Sequence, residues 1–376
     1  MMTEPLKYLV ISDVHLGGRT TTATEILAHL TAYFEDFRST GRFVDLDLIF
    51  IAGDLFDDTI EFASDVLGEF LPWFARFLEW CARHDIVVRI LEGTPRHDRM
   101  QSQTLSHITK MTKIPVDLKY IPDLSIERLE RFNLNVLYVP DECRHTAEAV
   151  RRDVEGLLAE HQLDQVDIAI MHGMFKYQLG TIPMNSKVHE EDWYLRRVKH
   201  YLNIGHVHTH SQYSRILAQG SFDRLKHGEE EAKGAILVER LPSGEWVHHF
   251  VENPQAKLYK TIAVKGTLEQ ALKTIDKAVR TLPAGSYVRI QALATHPVLQ
   301  GVEALKKQYP QYVFSKKPMA EEDDKPSAVL PQFEYVPIVL NRETLTEAVF
   351  MEVTTQHTLE MDEEFRLHHL LEAIHD

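Results

Sequence analysis

Apolar residues in this chain come in short dense runs separated by longer stretches with helical spacing. Lys7 to Ser12, Leu46 to Ala52 and Ile86 to Leu91 are such runs and predict buried strands. Between them, residues 21–38 place Ile26, Leu27, Leu30, Tyr33, Phe34 and Phe37 on one helical face, and residues 61–84 form a longer helical segment rich in Leu, Phe and Trp. Alternating strand and helix predicts parallel strands joined by crossover helices. Ligands of such sheets gather beyond the carboxyl ends of the strands. Asp13, Asp54 and His97 fall just past such ends.

The pattern continues with strands at 116–121 and 134–140 and a helix at 145–161. A strand from Val166 to Met171 ends at His172, and a polar, aromatic-bearing loop region fills 174–199. Tyr201 to Ile204 leads into Gly205, and runs near 212–218, 234–240 and 246–252 alternate as antiparallel strands do. A second layer of mixed sheet follows, giving a sheet-on-sheet core flanked by helices.

After residues 1–254 the pattern changes. Residues 255–316 read strand, helix, strand, helix, strand, a small α/β module. Residues 317–340 are polar and proline-bearing and read as a linker. Residues 341–376 hold two short amphipathic helical stretches, which need a partner surface to bury their apolar faces.

The chain has 376 residues, 44% hydrophobic and 26% charged, as a soluble globular protein does. No apolar run approaches the roughly 18 residues of a membrane span, and the first residues carry no apolar signal segment. Two cysteines, Cys81 and Cys143, cannot form a disulfide framework, so a reducing, cytoplasmic setting is expected, that of a bacterium or a phage-infected host. A net charge of -15 argues against gripping nucleic acid through overall charge. It leaves room for a local basic groove, bound metal ions or a basic partner.

The candidate chemistry lies in five motifs, each after an apolar run. They are Ser12-Asp13-Val14-His15, Gly53-Asp54, Gly93-Thr94-Pro95-Arg96-His97-Asp98, Met171-His172-Gly173 and Gly205-His206-Val207-His208. A carboxylate and an imidazole one residue apart can reach one ion from a tight turn, and the mixed set suits manganese, iron or zinc. Asp54, turned inward by Gly53, is placed to bridge two ions. Asp57 reads as a helix N-cap. With 21 histidines in the chain, about one His-x-His pair is expected by chance, so the pair alone has little weight. The ordered set carries the weight.

That set resembles the calcineurin-like metallophosphoesterase superfamily over roughly residues 7–250. The segment Gln219-Gly220-Ser221 through Gly228-Glu229 brings it closer to the SbcD and Mre-eleven family of DNA-repair nucleases. The resemblance implies a two-sheet metallophosphoesterase sandwich flanked by helices, a small α/β capping module that binds DNA, and a C-terminal helical tail. It implies two divalent ions, manganese with magnesium as the alternative, held by Asp13, His15, Asp54, His172, His206 and His208. His97 would be catalytic, with Asp98 orienting it. It further implies 3′-to-5′ exonuclease and single-strand endonuclease action, a homodimer built on helices near 61–80, and a coiled-coil ATPase of the SbcC type docked on 341–376. One motif departs from the family, which reads Gly-Asn-His-Asp where this chain has Gly93 to Asp98. Thr94 or Arg96 would replace the Asn ligand or touch phosphate, or His97 would itself become a ligand. Two other expectations stand beside the nuclease: a phosphatase for small phosphoesters or nucleotides, and a catalytically weakened clamp for the ATPase.

Overall fold

Alternation within the apolar strands decides the layering. In β1 (Leu6–Ile11), Leu9 and Ile11 face one core while Tyr8 and Val10 face another. Both cores are apolar, so the strand is buried on both faces, as its unbroken run predicts. The computed structural model describes residues 4–18, 21–38, 43–61, 63–180 and 187–319. The strand and helix order is α1 (Ala23–Tyr33), β2 (Leu48–Ala52), α2 (Asp65–Arg83), β3 (Val87–Leu91), α3 (Gln103–Thr112), β4 (Leu118–Ile121), β5 (Ser125–Leu129), β6 (Leu134–Val139) and α4 (Ala147–Glu160). It continues with β7 (Ile168–His172), α5 (Glu191–Leu195), β8 (Leu202–Gly205), β9 (Ser211–Tyr213), β10 (Ile216–Ala218), β11 (Gly234–Arg240) and β12 (Trp246–Glu252).

These strands form two six-stranded mixed sheets, ordered β12-β11-β1-β2-β3-β4 and β5-β6-β7-β8-β10-β9. In the first, β1 to β4 run parallel and β11 and β12 add antiparallel. In the second, β6, β7, β8 and β10 run parallel between antiparallel edges. Tyr8, Phe50, Val136, Tyr138, Ile170 and Ile236 fill the layer between the sheets. Outside the first sheet, α1 and α2 cover a second core, and α4 covers a third outside the other sheet. The α/β sandwich expected from the sequence is therefore present. Helix α2 turns Phe70, Trp73, Phe74, Phe77 and Trp80 into the chain's own core. The apolar face of the segment expected to build a dimer is thus occupied within the chain.

The final described portion is β13 (Tyr259–Ala263), α6 (Leu268–Val279), β14 (Tyr287–Leu293), α7 (Val302–Gln308) and β15 (Val313–Met319). They form a three-stranded parallel sheet, β13-β14-β15, with its own core. The linker does not begin at 317: Lys316, Lys317 and Pro318 pair with Ile290, Gln291 and Ala292. The rest of the expected linker and the helical tail lie outside the described residues. Among the described residues, no helix is long and apolar enough to cross a membrane.

The loop region 174–199 contains α5 and a buried histidine, His189. Burial holds the His189 imidazole down at about 3, so it is neutral in the fold. Burial also raises the Tyr194 phenol, whose hydroxyl is hydrogen-bonded with His189 Nδ1 at 3.1 Å. The unfolded chain protonates this histidine near its ordinary value of 6.5, so it binds more protons than the fold as pH drops. The stabilisation is complete above that value and is lost as pH falls toward about 3. The slope within this window approaches about 1.4 kcal/mol per pH unit. In denaturant titrations of metal-free protein, the advantage of wild type over His189→Gln should shrink from pH 7 to pH 4.5 by roughly 2–3 kcal/mol. Parallel pH curves would contradict it.

Candidate metal centre

All five motifs arrive at the same edge of the sandwich, because β1, β2, β3, β7 and β8 present their carboxyl ends there. The turns that follow are tight. Asp13, His15 and Asp54 take φ of 50° and His206 takes 95°. Left-handed backbone is uncommon outside glycine, and aspartate and histidine are among the residues that adopt it most readily. Two glycines are fixed by close approach. A Cβ at Gly53 would overlap the His172 ring, and one at Gly93 would overlap the backbone and carboxylate of Asp54.

Three groups of side chains could each hold a cation: Asp13, His15 and His208; His15, Asp54 and His97; and Asp54, His172 and His206. His15 and Asp54 each belong to two of them, so the three groups form one continuous centre. All six ligands expected from the sequence are in it. His15 Nε2 lies 3.8 Å from Asp54 Oδ2 and 4.0 Å from Asp13 Oδ1. His208 Nε2 lies 3.8 Å from Asp13 Oδ1, and His172 Nε2 lies 3.3 Å from Asp54 Oδ1. Ligand atoms bonded at roughly 2.0–2.2 Å to a shared ion stand about 3–4 Å apart. His15 Nε2 is buried and has no hydrogen-bond partner among the described residues. An orphaned imidazole nitrogen facing two carboxylates fits a metal ligand.

The tautomers are set by what the other ring nitrogen touches. His172 Nδ1 donates to the Ala52 carbonyl at 2.7 Å, across the two sheets. His15 Nδ1 meets Asp57 Oδ1 at 2.9 Å, and His208 Nδ1 meets Glu229 Oε1 at 3.0 Å. In each case Nε2 is left for the centre. Burial works to raise the Asp54 carboxyl, but the His172 and His15 imidazoles outweigh it and hold it well below the ordinary range. Burial likewise works to lower His172, and Asp54, Asp13 and Asp141 outweigh it. Bound cations would face the same negative field.

In the departing motif, Thr94 lies closest to the third group. Its Oγ1 lies 3.1 Å from Asp54 Oδ2, 3.4 Å from His172 Nε2 and 3.3 Å from His206 Nδ1. The hydroxyl therefore stands among the ligand atoms of the third group. Arg96 is exposed, and its guanidinium cannot ligate a cation, which leaves it the phosphate contact. His97 belongs to one of the three groups, and its Nδ1 donates to the Asp57 carbonyl. A hydroxyl is a weaker ligand than an amide oxygen, so Thr94→Asn should tighten binding of the weaker of two manganese equivalents by about tenfold. Calorimetric titration would read this; unchanged or weaker binding would contradict it.

Asp98 does not orient His97. Its buried carboxylate accepts from the N–H groups of Asp54 at 3.0 Å, Phe56 at 3.0 Å and Gly93 at 2.8 Å. Burial, then the Asp54 charge, raises it to about 7 against the pull of those N–H groups. Asp98 is a clasp for the turn that carries Asp54, and His97 is oriented by Asp57 instead. Asp57 is likewise not a helix cap, since Ser64 caps α2. Sequence reasoning passed over Asp57 and Glu229 as partners of ligands. It also passed over Asp141, which follows the end of β6 and places Oδ2 3.9 Å from His206 Nδ1. A carboxylate two residues past a parallel strand was the signal available for Asp141.

No protein-family model and no curated protein matches the chain. One solved crystal structure shares 13% identity at a TM-score of 0.38, over 66% of this chain and all of the other. Another is GAP50, described as the anchor in the inner membrane complex of Plasmodium. It shares 12% identity at a TM-score of 0.36, over 68% of this chain and 86% of its own. Neither likeness says anything of what this chain binds or does.

Proposed function

We propose that this chain is a two-metal phosphodiesterase of the metallophosphoesterase type and that it acts on DNA as the nuclease subunit of an SbcCD-like complex. The observation that carries this reading is the continuous centre in which His15 and Asp54 join three cation-holding groups. Asp13, His15 and His208 would hold the first ion, and His172, His206 and Thr94 the second, with Asp54 between them. The mixed carboxylate and imidazole set suits manganese. When bound, such ions supply Lewis acidity and a nucleophilic water at neutral pH.

The chain's own residues supply the rest. His97 is part-exposed beside His15, with ring centroids 4.8 Å apart, so substrate can reach it. With Nδ1 committed to the Asp57 carbonyl, Nε2 is available to a leaving oxygen, as proton donor or as a charge partner. Asp98 and Gly93 hold the Asp54 turn in place.

A long polyanionic substrate is favoured by the distribution of charge. Residues 255–319 hold eleven Lys and Arg against three Asp and Glu, within a chain of net charge -15. A basic module of this kind provides the phosphate contacts that overall charge denies. The weakened-clamp reading is disfavoured by Thr94, which keeps an oxygen where the motif departs. The homodimer and the ATPase docked on 341–376 belong to this proposal through the resemblance alone.

The test compares release of nucleotides from a 3′-labelled duplex with hydrolysis of nitrophenyl phosphate, each with manganese and with chelator. Manganese-dependent cleavage of the duplex is expected. Turnover of the small ester without the duplex would favour the phosphatase, and neither activity would contradict the proposal.

A further inference from the structure

The segment between β10 and β11 touches the metal centre on one side and the start of the small α/β module on the other. On the first side, Glu229 Oε1 holds His208 Nδ1 at 3.0 Å, while Oε2 accepts from the Leu225 N–H at 3.0 Å. Lys233, fully buried, places Nζ 2.8 Å from the His208 carbonyl and 3.3 Å from Glu229 Oε2. The Ser221 N–H donates to that carbonyl at 3.1 Å. Both ends of His208, ring and backbone, are therefore gripped by residues 221–233.

On the other side, Arg224 Nη1 donates to the Ala256 carbonyl at 2.9 Å, and buried Asp223 accepts from the Lys257 N–H at 3.1 Å. Glu230 Oε2 accepts from Lys260 Nζ, in β13, at 2.6 Å. The His227 ring meets Tyr259 edge-on at 5.1 Å between centroids. Glu229 and Glu230 are adjacent, and they divide the two duties between them.

We propose that Glu229 is a positioning residue for His208, and that segment 221–233 couples loading of the first ion to seating of β13. This rests on the two-metal reading. Coupling of this kind is reciprocal: an ion that fixes His208 stabilises the seat of β13, and loosening that seat weakens the ion. A contact on the basic module thereby reaches the metal centre through a single stretch of chain.

The test uses the full chain, with and without manganese. Two readouts are taken: manganese affinity by calorimetry, and amide hydrogen exchange at 256–262. In wild type, manganese should slow exchange at 256–262. Glu229→Gln should weaken the first equivalent by about tenfold or more, leave the second within about twofold, and abolish the slowing. Lys260→Met leaves every ligand and Glu229 in place, and it should weaken the first equivalent by about fivefold. If Glu229→Gln fails to fold, Lys260→Met decides the matter. Wild-type affinity in the folded variants, or exchange at 256–262 indifferent to manganese, would overturn the coupling while leaving the two-metal reading intact. Wild type that binds no manganese would overturn both.

Discussion

Asp54→Asn is expected to lower manganese-dependent DNA cleavage by about a thousandfold or more, with the fold retained. Asn preserves the shape of the side chain and an oxygen that can accept from the Thr94 N–H, which now donates to Asp54 Oδ1 at 2.6 Å. What it removes is the charge between His15 and His172. No other side chain appears in both the group containing His97 and the group containing His206. Loss of a ligand common to two ions removes several kcal/mol of charge stabilisation, and each 1.4 kcal/mol or so is a factor of ten in rate. Rates on a labelled duplex, with circular dichroism to verify folding, would read the effect. Activity within tenfold of wild type would contradict the shared role of Asp54.

Asp98→Ala should act through stability. Three backbone donors, on Asp54, Phe56 and Gly93, lose their acceptor inside the protein. Leaving a buried donor unpaired costs about 1–3 kcal/mol, so the loss should reach about 3 kcal/mol or more. The Asp54 turn, whose φ of 50° is unfavourable without support, should loosen with it. Asp98→Asn should fall between, since its amide group can accept from some of the donors and must face others. Denaturant midpoints of metal-free protein read both variants. A variant with wild-type stability and a slower rate would instead restore Asp98 as a partner of His97.

The six candidate ligands were legible in the sequence for a physical reason. A strand buried on both faces must be a continuous apolar run, and a parallel sheet places the ends of such runs at one edge. Asp13, Asp54, His172 and His206 each stand within two residues of a strand end, so runs and ligands point to the same place. What was not legible depends on contacts distant in sequence. Asp98 and His97 are adjacent, which suggests a pair, but the Asp98 carboxylate turns to the N–H groups of a turn 42 and 44 residues away. Asp57 and Glu229 look like ordinary surface acids until folding places them against His15 and His208.

Three elements were missed because their patterns are weak, among them α5, five residues inside the segment read as a loop. Helix α3 buries only Leu105 among its ten residues, and β5 is a short polar strand at a sheet edge. The opposite error came at Lys316-Lys317-Pro318, which reads as linker by composition. Lysine and proline are tolerated on an edge strand, and pairing with β14 carries β15 through them to Met319.

Anomalous scattering from crystals grown with manganese would show whether the motifs form one centre for two ions. The expected result is two peaks per chain, both in contact with Asp54. One peak should lie among Asp13, His15 and His208, and the other among His172, His206 and the Thr94 hydroxyl. No peak at this edge of the sandwich, or a single ion that leaves Asp54 untouched, would contradict one centre for two ions.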